Sequence, residues 1–384
     1  MTKRRVKKAK FAPSKRSGAA LAPLITEVRH LITSARHAAA TAVNTLQVLT
    51  NFEIGRRIME HEQKGQKRAG YGQELLKILA VRLTAEFGKG FSKANLEYMR
   101  RFYIEWRHRD PRIAQKPSGQ LVKVEIPQTA SGKLASVESG QSKIKSPFAL
   151  SWSHYVLLLT VKDPDERSFY EIEATRSGWS TPELKRQVAA SLYERLALSR
   201  DKQGIRKLAT EGQIVVKPAD ILKEPYTLEF LGLAERASYT ESDLEQAIID
   251  RIEHFLLELG KGFLFEARQK RFTFDEDHFF VDLVFYNRLL RCYVLLDLKV
   301  DKLTHQDLGQ MQMYVNYFDR HVKQPEENPT VGILLCKRKK DAIVELTLPK
   351  DANIHAREYK LYLPSKELLK KKLLEWTRDQ EPKV

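Results

Sequence analysis

Two neighbouring apolar segments in the C-terminal half each carry an acidic residue, and the second also carries a lysine. The run 279–286 has Asp282 at its centre, and the run 293–299 contains Asp297 and Lys299 two positions apart. In both runs, apolar residues fall on both faces of the predicted strand, which is typical of central strands covered on both faces. Side chains alternate across a strand, so Asp297 and Lys299 point to the same face. If the two strands pair, two carboxylates and one ammonium group converge.

The charges in this predicted group do not balance. Burying a charge costs several kcal/mol unless it is paired or bound to a metal, so a divalent cation would complete the group. Carboxylate oxygens are hard ligands that suit Mg²⁺ or Mn²⁺. A metal there would activate water and stabilise charge on a phosphate, while the lysine would orient the nucleophile or neutralise developing charge.

The elements before and after these strands offer further polar side chains. A helix predicted over 240–259 gathers its apolar positions on one face, and Glu245 falls within that face. An acid on a core-facing side needs a partner, so Glu245 is the expected third ligand, with Glu253 as the alternative. In the following helix, Gln310 and Tyr314 are four residues apart and share a face. Gln310 is expected to bond the attacking water, a phosphate or the lysine.

Charge and length restrict the class of protein. The chain has 384 residues and a formal net charge of +17. Two or three domains are expected at roughly 100–200 residues per domain. The positive charge favours a polyanionic partner, because each neutralised phosphate releases counterions.

Other classes are excluded or disfavoured. The only two cysteines, Cys292 and Cys336, are far apart, which excludes a disulfide scaffold and a cysteine-based zinc site. No apolar run reaches the roughly 18 residues that a membrane helix needs. A cytoplasmic protein without a membrane partner is therefore expected.

Composition changes divide the chain into segments. Residues 1–18 are rich in Lys and Arg and are expected to form a disordered basic arm. Residues 19–205 are expected to form a largely helical domain with a flexible insertion at 108–149, where Ser, Gly, Lys and Pro recur. Residues 226–375 alternate strands and helices, as a mixed α/β sandwich does. The main boundary is predicted at 200–225.

A helix–turn–helix unit is predicted inside the helical domain. Helices over 73–87 and 92–107 are separated by glycines that can end the first, and Ser92 can cap the second. The second helix carries basic residues that could bind phosphates and base edges, namely Lys93, Arg100 and Arg101. The alternative is a solvated face of an all-helical scaffold.

With these motifs in their observed order, the chain resembles the PD-(D/E)XK nuclease superfamily. Asp282 matches its second-strand Asp, and Asp297-Leu298-Lys299 matches its (D/E)-x-K element. The run from Gln310 to Tyr314 matches the Q-x-x-x-Y element of RecB-like branches. The superfamily's proline before the first Asp is absent, because valine stands there.

The whole chain also resembles bacterial YhcG-type proteins, over about 44–107 and 150–365. The matching runs, in chain order, are Ile54–Ile58, Arg68–Gly72, Phe87–Ser92, Leu150–His154, Gly178–Ser180 and Phe255–Phe263. The chain departs from these proteins at two places. It has an insertion at 108–149, and it has Asp297 at a position where Glu is commoner in this branch. The resemblance implies an α+β, multidomain protein. Its N-terminal domain would be mostly helical and winged-helix-like, and its C-terminal domain, 226–375, would be an α/β, restriction-endonuclease-like nuclease domain.

This resemblance implies a metal-dependent nuclease that hydrolyses DNA phosphodiester bonds and has an N-terminal DNA-binding module. Asp282, Asp297 and the Leu298 carbonyl would hold Mg²⁺ or Mn²⁺, and Glu245 would complete the site. Lys299 would position the attacking water, and Gln310 would support the substrate or Lys299. Contacts with nucleic acid would come from Lys93, Arg100, Arg101 and Tyr314.

Two other interpretations stay open. One is a catalytically inactive nucleic-acid-binding protein that retains the nuclease fold. The other is a ribonuclease or RNA-binding factor, which is less supported because the sequence has nothing like an RNP aromatic platform. Cleavage of both DNA strands would favour a homodimer.

Overall fold

The computed structural model describes most of the chain in two compact units, Met1–Leu159 and Thr160–Val384. The predicted boundary at 200–225 therefore lies inside the second unit. The basic arm lies outside the described residues except for 15–18, which begin the first helix, and the insertion lies outside them from 110 to 145. The described ranges are 15–64, 69–109, 146–234, 239–274, 276–349 and 351–379.

The described part of the first unit is helical. Its α-helices are α1 (Lys15–Lys64), α2 (Ala69–Phe87), α3 (Lys93–Trp106) and α4 (Trp152–Leu158). No strand occurs within the described ranges 15–64, 69–109 and 146–159. The structure thus supports a helical N-terminal domain, and the wing of a winged helix stays a prediction.

The predicted turn between α2 and α3 is present. Gly88 and Gly90 have φ of 79° and 114°, values that glycine adopts without a Cβ penalty. The Ser92 side chain then accepts a hydrogen bond from the Asn95 backbone N–H at 3.3 Å, which caps α3. Aromatic side chains form the core beneath α3, and the Phe102 ring lies 5.4 Å from that of Trp152.

The second unit begins with helices and continues into a sheet covered on both faces. Its elements are α5 (Pro164–Ser177), α6 (Thr181–Ala189), α7 (Leu192–Ala197), α8 (Lys202–Glu211), β1 (Tyr226–Thr227), α9 (Glu241–Asp250), α10 (Ile252–Leu259), β2 (Phe263–Phe274), β3 (Asp277–Asn287), β4 (Cys292–Lys302), α11 (His305–His321), β5 (Val331–Arg338), α12 (Asp341–Thr347), β6 (Ile354–Lys360) and α13 (Lys366–Asp379).

The sheet has six strands in the order β1-β6-β5-β4-β3-β2. The pairs β2–β3 and β3–β4 are antiparallel, whereas β4–β5, β5–β6 and β1–β6 are parallel. One core packs α9 and α10 on the sheet, and a second core packs α11 on the other face. Because both faces are covered, β3 and β4 are apolar on both sides, and an acid within them is conspicuous.

The predicted helix over 240–259 is broken in the structure. Arg251 leaves helical geometry, with φ of −126° and ψ of 32°, and α10 restarts at Ile252. Because of this break, the side chains of α10 point in other directions than those of a continuous helix would. Glu258 points into the interior, where its side chain is fully buried. A helical wheel drawn through the break does not show this.

None of the helices in the described part of the chain has both the length and the apolar character to span a membrane.

Candidate active site

Strands β3 and β4 separate at the two predicted acids. Their backbone pairing runs from Asn287 opposite Cys292 to Leu283 opposite Leu296. If this register continued by one position, Asp282 would be opposite Asp297. The backbone ladder ends before that position. The Leu298 N–H donates instead to Oδ2 of Asp282 at 2.9 Å. The structure therefore brings the two predicted acids together at the point where the strands diverge.

Lys299 lies beside this pair, as its spacing predicts. Its Nζ is 2.9 Å from Oδ2 of Asp297 and 3.5 Å from Oε2 of Glu241. Burial disfavours the ammonium, but the carboxylate of Asp297 and then that of Glu241 raise the pKa of Lys299. The lysine stays charged. Glu241 was missed from the sequence, although its place in the first turn after the Thr240 cap locates it at this end of α9.

The carboxylate pair is poorly stabilised when both groups are ionised. Burial, followed by the charge of Asp297, raises the pKa of Asp282 to about 7. Burial also raises the pKa of Asp297, although Lys299 opposes the change. Near neutral pH the pair is therefore only partly ionised, and a bound cation would displace the proton.

Glu245 is buried, as the helical wheel indicates, but it does not join the pair directly. Arg268 Nε donates to Oε1 of Glu245, and Gln269 Nε2 donates to Oε2. The same Gln269 nitrogen donates to Oδ1 of Asp282 at 3.0 Å. Glu245 is thus linked to the carboxylate pair through an amide. Glu253, the alternative third acid, is 82% exposed and lies beside His254, so the structure corrects that assignment.

Gln269 carries no sequence signal, because it lies in a polar run of β2. Its φ of 45° is unusual for a residue with a Cβ. The left-handed backbone accompanies a side chain that joins Glu245 and Asp282. Strain of this kind clusters at functional sites.

A divalent cation fits the donor set at the pair. No group of three or more His, Cys, Asp or Glu residues that could hold a metal occurs among the described residues. Mg²⁺, however, usually retains several waters and binds proteins through one or two carboxylates. The two adjacent carboxylates of Asp282 and Asp297 meet that requirement without Glu245.

Gln310 and Tyr314 contact each other on α11. Gln310 Nε2 donates to the Tyr314 hydroxyl, rather than reaching Lys299. Burial raises the pKa of Tyr314, the hydrogen bond with Gln310 opposes this, and the charges of Asp297 and Asp282 raise it further. Tyr314 is only 1% exposed. Its assignment as a nucleic-acid contact is therefore corrected, because its ring belongs to the core.

The basic residues of α3 that are predicted to contact nucleic acid differ in their exposure and in their ion pairs. Arg100 is neutralised by Glu62 at 3.1 Å and by Glu97 at 2.8 Å. Arg101 is exposed, although one guanidinium nitrogen donates to the Leu159 carbonyl at 2.8 Å. Lys93 is exposed. A nucleic-acid contact by α3 would therefore depend on Lys93 and Arg101 more than on Arg100.

Comparison with known proteins identifies the family. The YhcG PDDEXK nuclease domain matches residues 219–374, and the DUF1016 N-terminal domain matches residues 27–195. The Escherichia coli (strain K12) protein named "Putative nuclease YhcG" is 42% identical over 346 residues, which are 90% of this chain and 91% of that protein. The chain belongs to the YhcG family.

The match confirms the resemblance seen in the sequence. All the predicted C-terminal site residues, from Glu245 to Tyr314, lie within the region matched by the YhcG nuclease domain. A crystal structure of a repair endonuclease from Pyrococcus abyssi is also similar in part. The similarity covers 34% of this chain and 50% of that chain, with 18% sequence identity and a TM-score of 0.23.

Proposed function

We propose that this YhcG-family protein is a divalent-metal-dependent nuclease that hydrolyses DNA phosphodiester bonds. The observation that carries the proposal is the pair of buried carboxylates where β3 and β4 diverge, with Lys299 Nζ 2.9 Å from Asp297. The site lies within the matched nuclease domain. We also propose a restriction-endonuclease-like fold for residues 226–375.

Asp282, Asp297 and the Leu298 carbonyl would hold Mg²⁺ or Mn²⁺. The bound ion would supply an activated water and neutralise charge on the phosphate. Lys299, held by Asp297 and Glu241, would orient the attacking water through its ammonium hydrogens. Glu245 would complete the site by fixing Gln269, which in turn orients the carboxylate of Asp282.

The N-terminal helical domain would bind DNA. Its helix–turn–helix presents Lys93 and Arg101 on α3, and the net charge of +17 favours a phosphate backbone as partner. Gln310, exposed on α11 and bonded to Tyr314, would support the substrate near the carboxylate pair. Cleavage of both strands would favour a homodimer, which brings two copies of the site to one duplex.

A second candidate is a DNA-binding protein without catalysis. Glu245 favours it, because this acid is occupied by Arg268 and Gln269 instead of adding a third carboxylate to the pair. Metal-dependent cleavage separates the two candidates.

Replacing Lys299 by Ala is expected to slow cleavage by about 100-fold, the cost of losing one preorganised donor. Cleavage of plasmid, linear, single-stranded and branched DNA would be measured with Mg²⁺, Mn²⁺ or EDTA. Lys302→Ala, an exposed lysine on the same strand, is the matched control and should cleave at the wild-type rate. Tight DNA binding by the wild type with no metal-dependent cleavage would favour the second candidate.

Metal affinity is expected to rise with pH. Burial and the charge of Asp297 raise the pKa of Asp282 to about 7, so a proton competes with the cation below that value. Mg²⁺ affinity measured by calorimetry should be about tenfold higher at pH 8 than at pH 6, in proportion to the ionised fraction of one group with this pKa. Equal affinities at the two pH values would contradict the assignment of Asp282 as a ligand.

A further inference from the structure

A cleft opens between the far end of β2 and the exposed face of α11. Its volume is about 330 Å³, at the lower end of the range of small-molecule sites, and it would hold one ring system rather than a length of chain. Residues near the end of β2 and along α11 line it.

Aromatic rings form one wall of the cleft. Phe272 and Tyr317 stack with their centroids 4.1 Å apart and their planes inclined by 18°. Phe274, at the rim, is 62% exposed. Exposed aromatic faces next to a stacked pair are the kind of surface on which nucleic-acid bases stack, whatever their sequence.

The polar side chains of the cleft suit a nucleotide. Arg320 and His321 are exposed, and no Asp or Glu is among the described residues that line the cleft. Gln312 Nε2 donates to Asn316 at 3.1 Å, but Oε1 of Gln312 is buried and has no hydrogen-bond partner within the described ranges. A base amino group would supply the missing donor, and Arg320 would face the backbone phosphate.

Two residues of the cleft, Phe272 and Gly309, adjoin Tyr314 and Gln310. The Phe272 ring meets the Tyr314 ring edge-to-face at 5.5 Å, and the Tyr314 hydroxyl is bonded to Gln310. Gly309, beside Gln310, belongs to the cleft wall. A nucleotide in the cleft would therefore lie beside Gln310, the residue proposed to support the substrate.

We propose that this cleft binds one unpaired nucleobase of the substrate strand, so that the protein acts on DNA with single-stranded or branched character. The inference rests on the proposed nuclease function and specifies its substrate class. A base inside a duplex is stacked and paired, so entry of a base into the cleft requires that it be already unpaired or easily extruded.

Gly309 allows the cleft to be filled without disturbing the fold. A Cβ added there meets nothing within 4 Å, and the backbone of this residue is helical. Gly309→Leu should occupy the cleft. Gly309→Ala makes the same backbone change with little volume and is the matched control.

The test measures binding of a single-stranded oligonucleotide that carries one 2-aminopurine, and of the same sequence as a duplex, without metal. Phe274→Ala and Gly309→Leu are expected to weaken single-strand binding by about tenfold, the effect of losing one stacked base, and to reduce the quenching of 2-aminopurine. Duplex binding should stay within about twofold of wild type, and Gly309→Ala should weaken single-strand binding less than Gly309→Leu does.

Cleavage of single-stranded, branched and duplex DNA by the same variants separates this inference from the proposed function. Metal-dependent cleavage and single-strand binding that are both unchanged in Phe274→Ala and Gly309→Leu would overturn the cleft proposal and leave the nuclease proposal standing. Loss of 2-aminopurine quenching in a protein that cleaves no DNA would support the cleft and overturn the nuclease. Equal weakening of single-strand and duplex binding would also overturn the cleft proposal.

Discussion

Asp282→Asn is expected to lower the rate of metal-dependent DNA cleavage by about 10³-fold or more. The change keeps the shape of the side chain but removes one of the two carboxylates available to a cation. Metal stabilisation of a phosphoryl transition state is worth several kcal/mol, and each 1.36 kcal/mol is a factor of about ten in rate. DNA affinity, measured without metal, should stay within about twofold, because the carboxylate does not attract a phosphate.

A stability measurement excludes unfolding as the cause of this loss. Burial and Asp297 raise the pKa of Asp282 to about 7, above its ordinary value of 3.8. The fold therefore favours the protonated carboxyl: its contribution to stability is full below about pH 4 and is lost as the pH rises through about 7. At pH 8 without metal, Asp282→Asn should be at least as stable as the wild type.

The matched control for this substitution is Asp301→Asn, an exposed acid on the same strand as Asp297. It should cleave at the wild-type rate. Full cleavage activity in a folded Asp282→Asn protein would rule out the carboxylate pair as the catalytic site.

Glu258→Ala is expected to destabilise the protein by about 3–5 kcal/mol, the effect of leaving a buried charge without its partner. Glu258 and Arg195 are both fully buried, and Arg195 Nη1 lies 2.5 Å from Oε1 of Glu258. Oε1 also accepts the Thr227 backbone N–H at 2.9 Å, and the Glu258 carbonyl accepts from Lys223 Nζ. This network joins α7 to α10 and to the first strand, so its loss affects the packing of the whole second unit.

Urea denaturation of the full-length protein measures this effect. Glu253→Ala is the matched control, because Glu253 is on the same helix and its side chain is 82% exposed. Its free energy of unfolding should change by less than about 0.5 kcal/mol. Similar changes in the two variants would show that the buried pair contributes no more than a surface charge.

A double substitution separates the loss of the pair from the presence of an unpaired charge. Arg195→Met combined with Glu258→Leu removes both charges and keeps the volume apolar. It should recover much of the stability lost in Glu258→Ala, since apolar replacement of a whole buried pair is often neutral or stabilising. No recovery would indicate that the hydrogen bond from the Thr227 backbone N–H to the Glu258 carboxylate carries the effect.

The sequence by itself indicated the site because its local patterns are strong. A strand covered on both faces must be apolar throughout, so one acid in each of two such runs points to chemistry. The two-residue alternation set Asp297 and Lys299 on one face, and helical spacing identified Glu245 as a buried acid. The glycines at 88 and 90 and the Ser92 cap marked the turn before α3, because those residue types satisfy local backbone requirements.

Only the tertiary structure decided which partners these side chains have. Gln269 joins Glu245 to Asp282 from a third element, and Arg195 pairs with Glu258 across 63 residues of chain. The break at Arg251 and the burial of Tyr314 likewise depend on what packs against each element. Backbone preferences act between near neighbours in the chain and are visible in the sequence. The pairing of buried charges depends on how distant segments meet, which residue types and spacing do not determine.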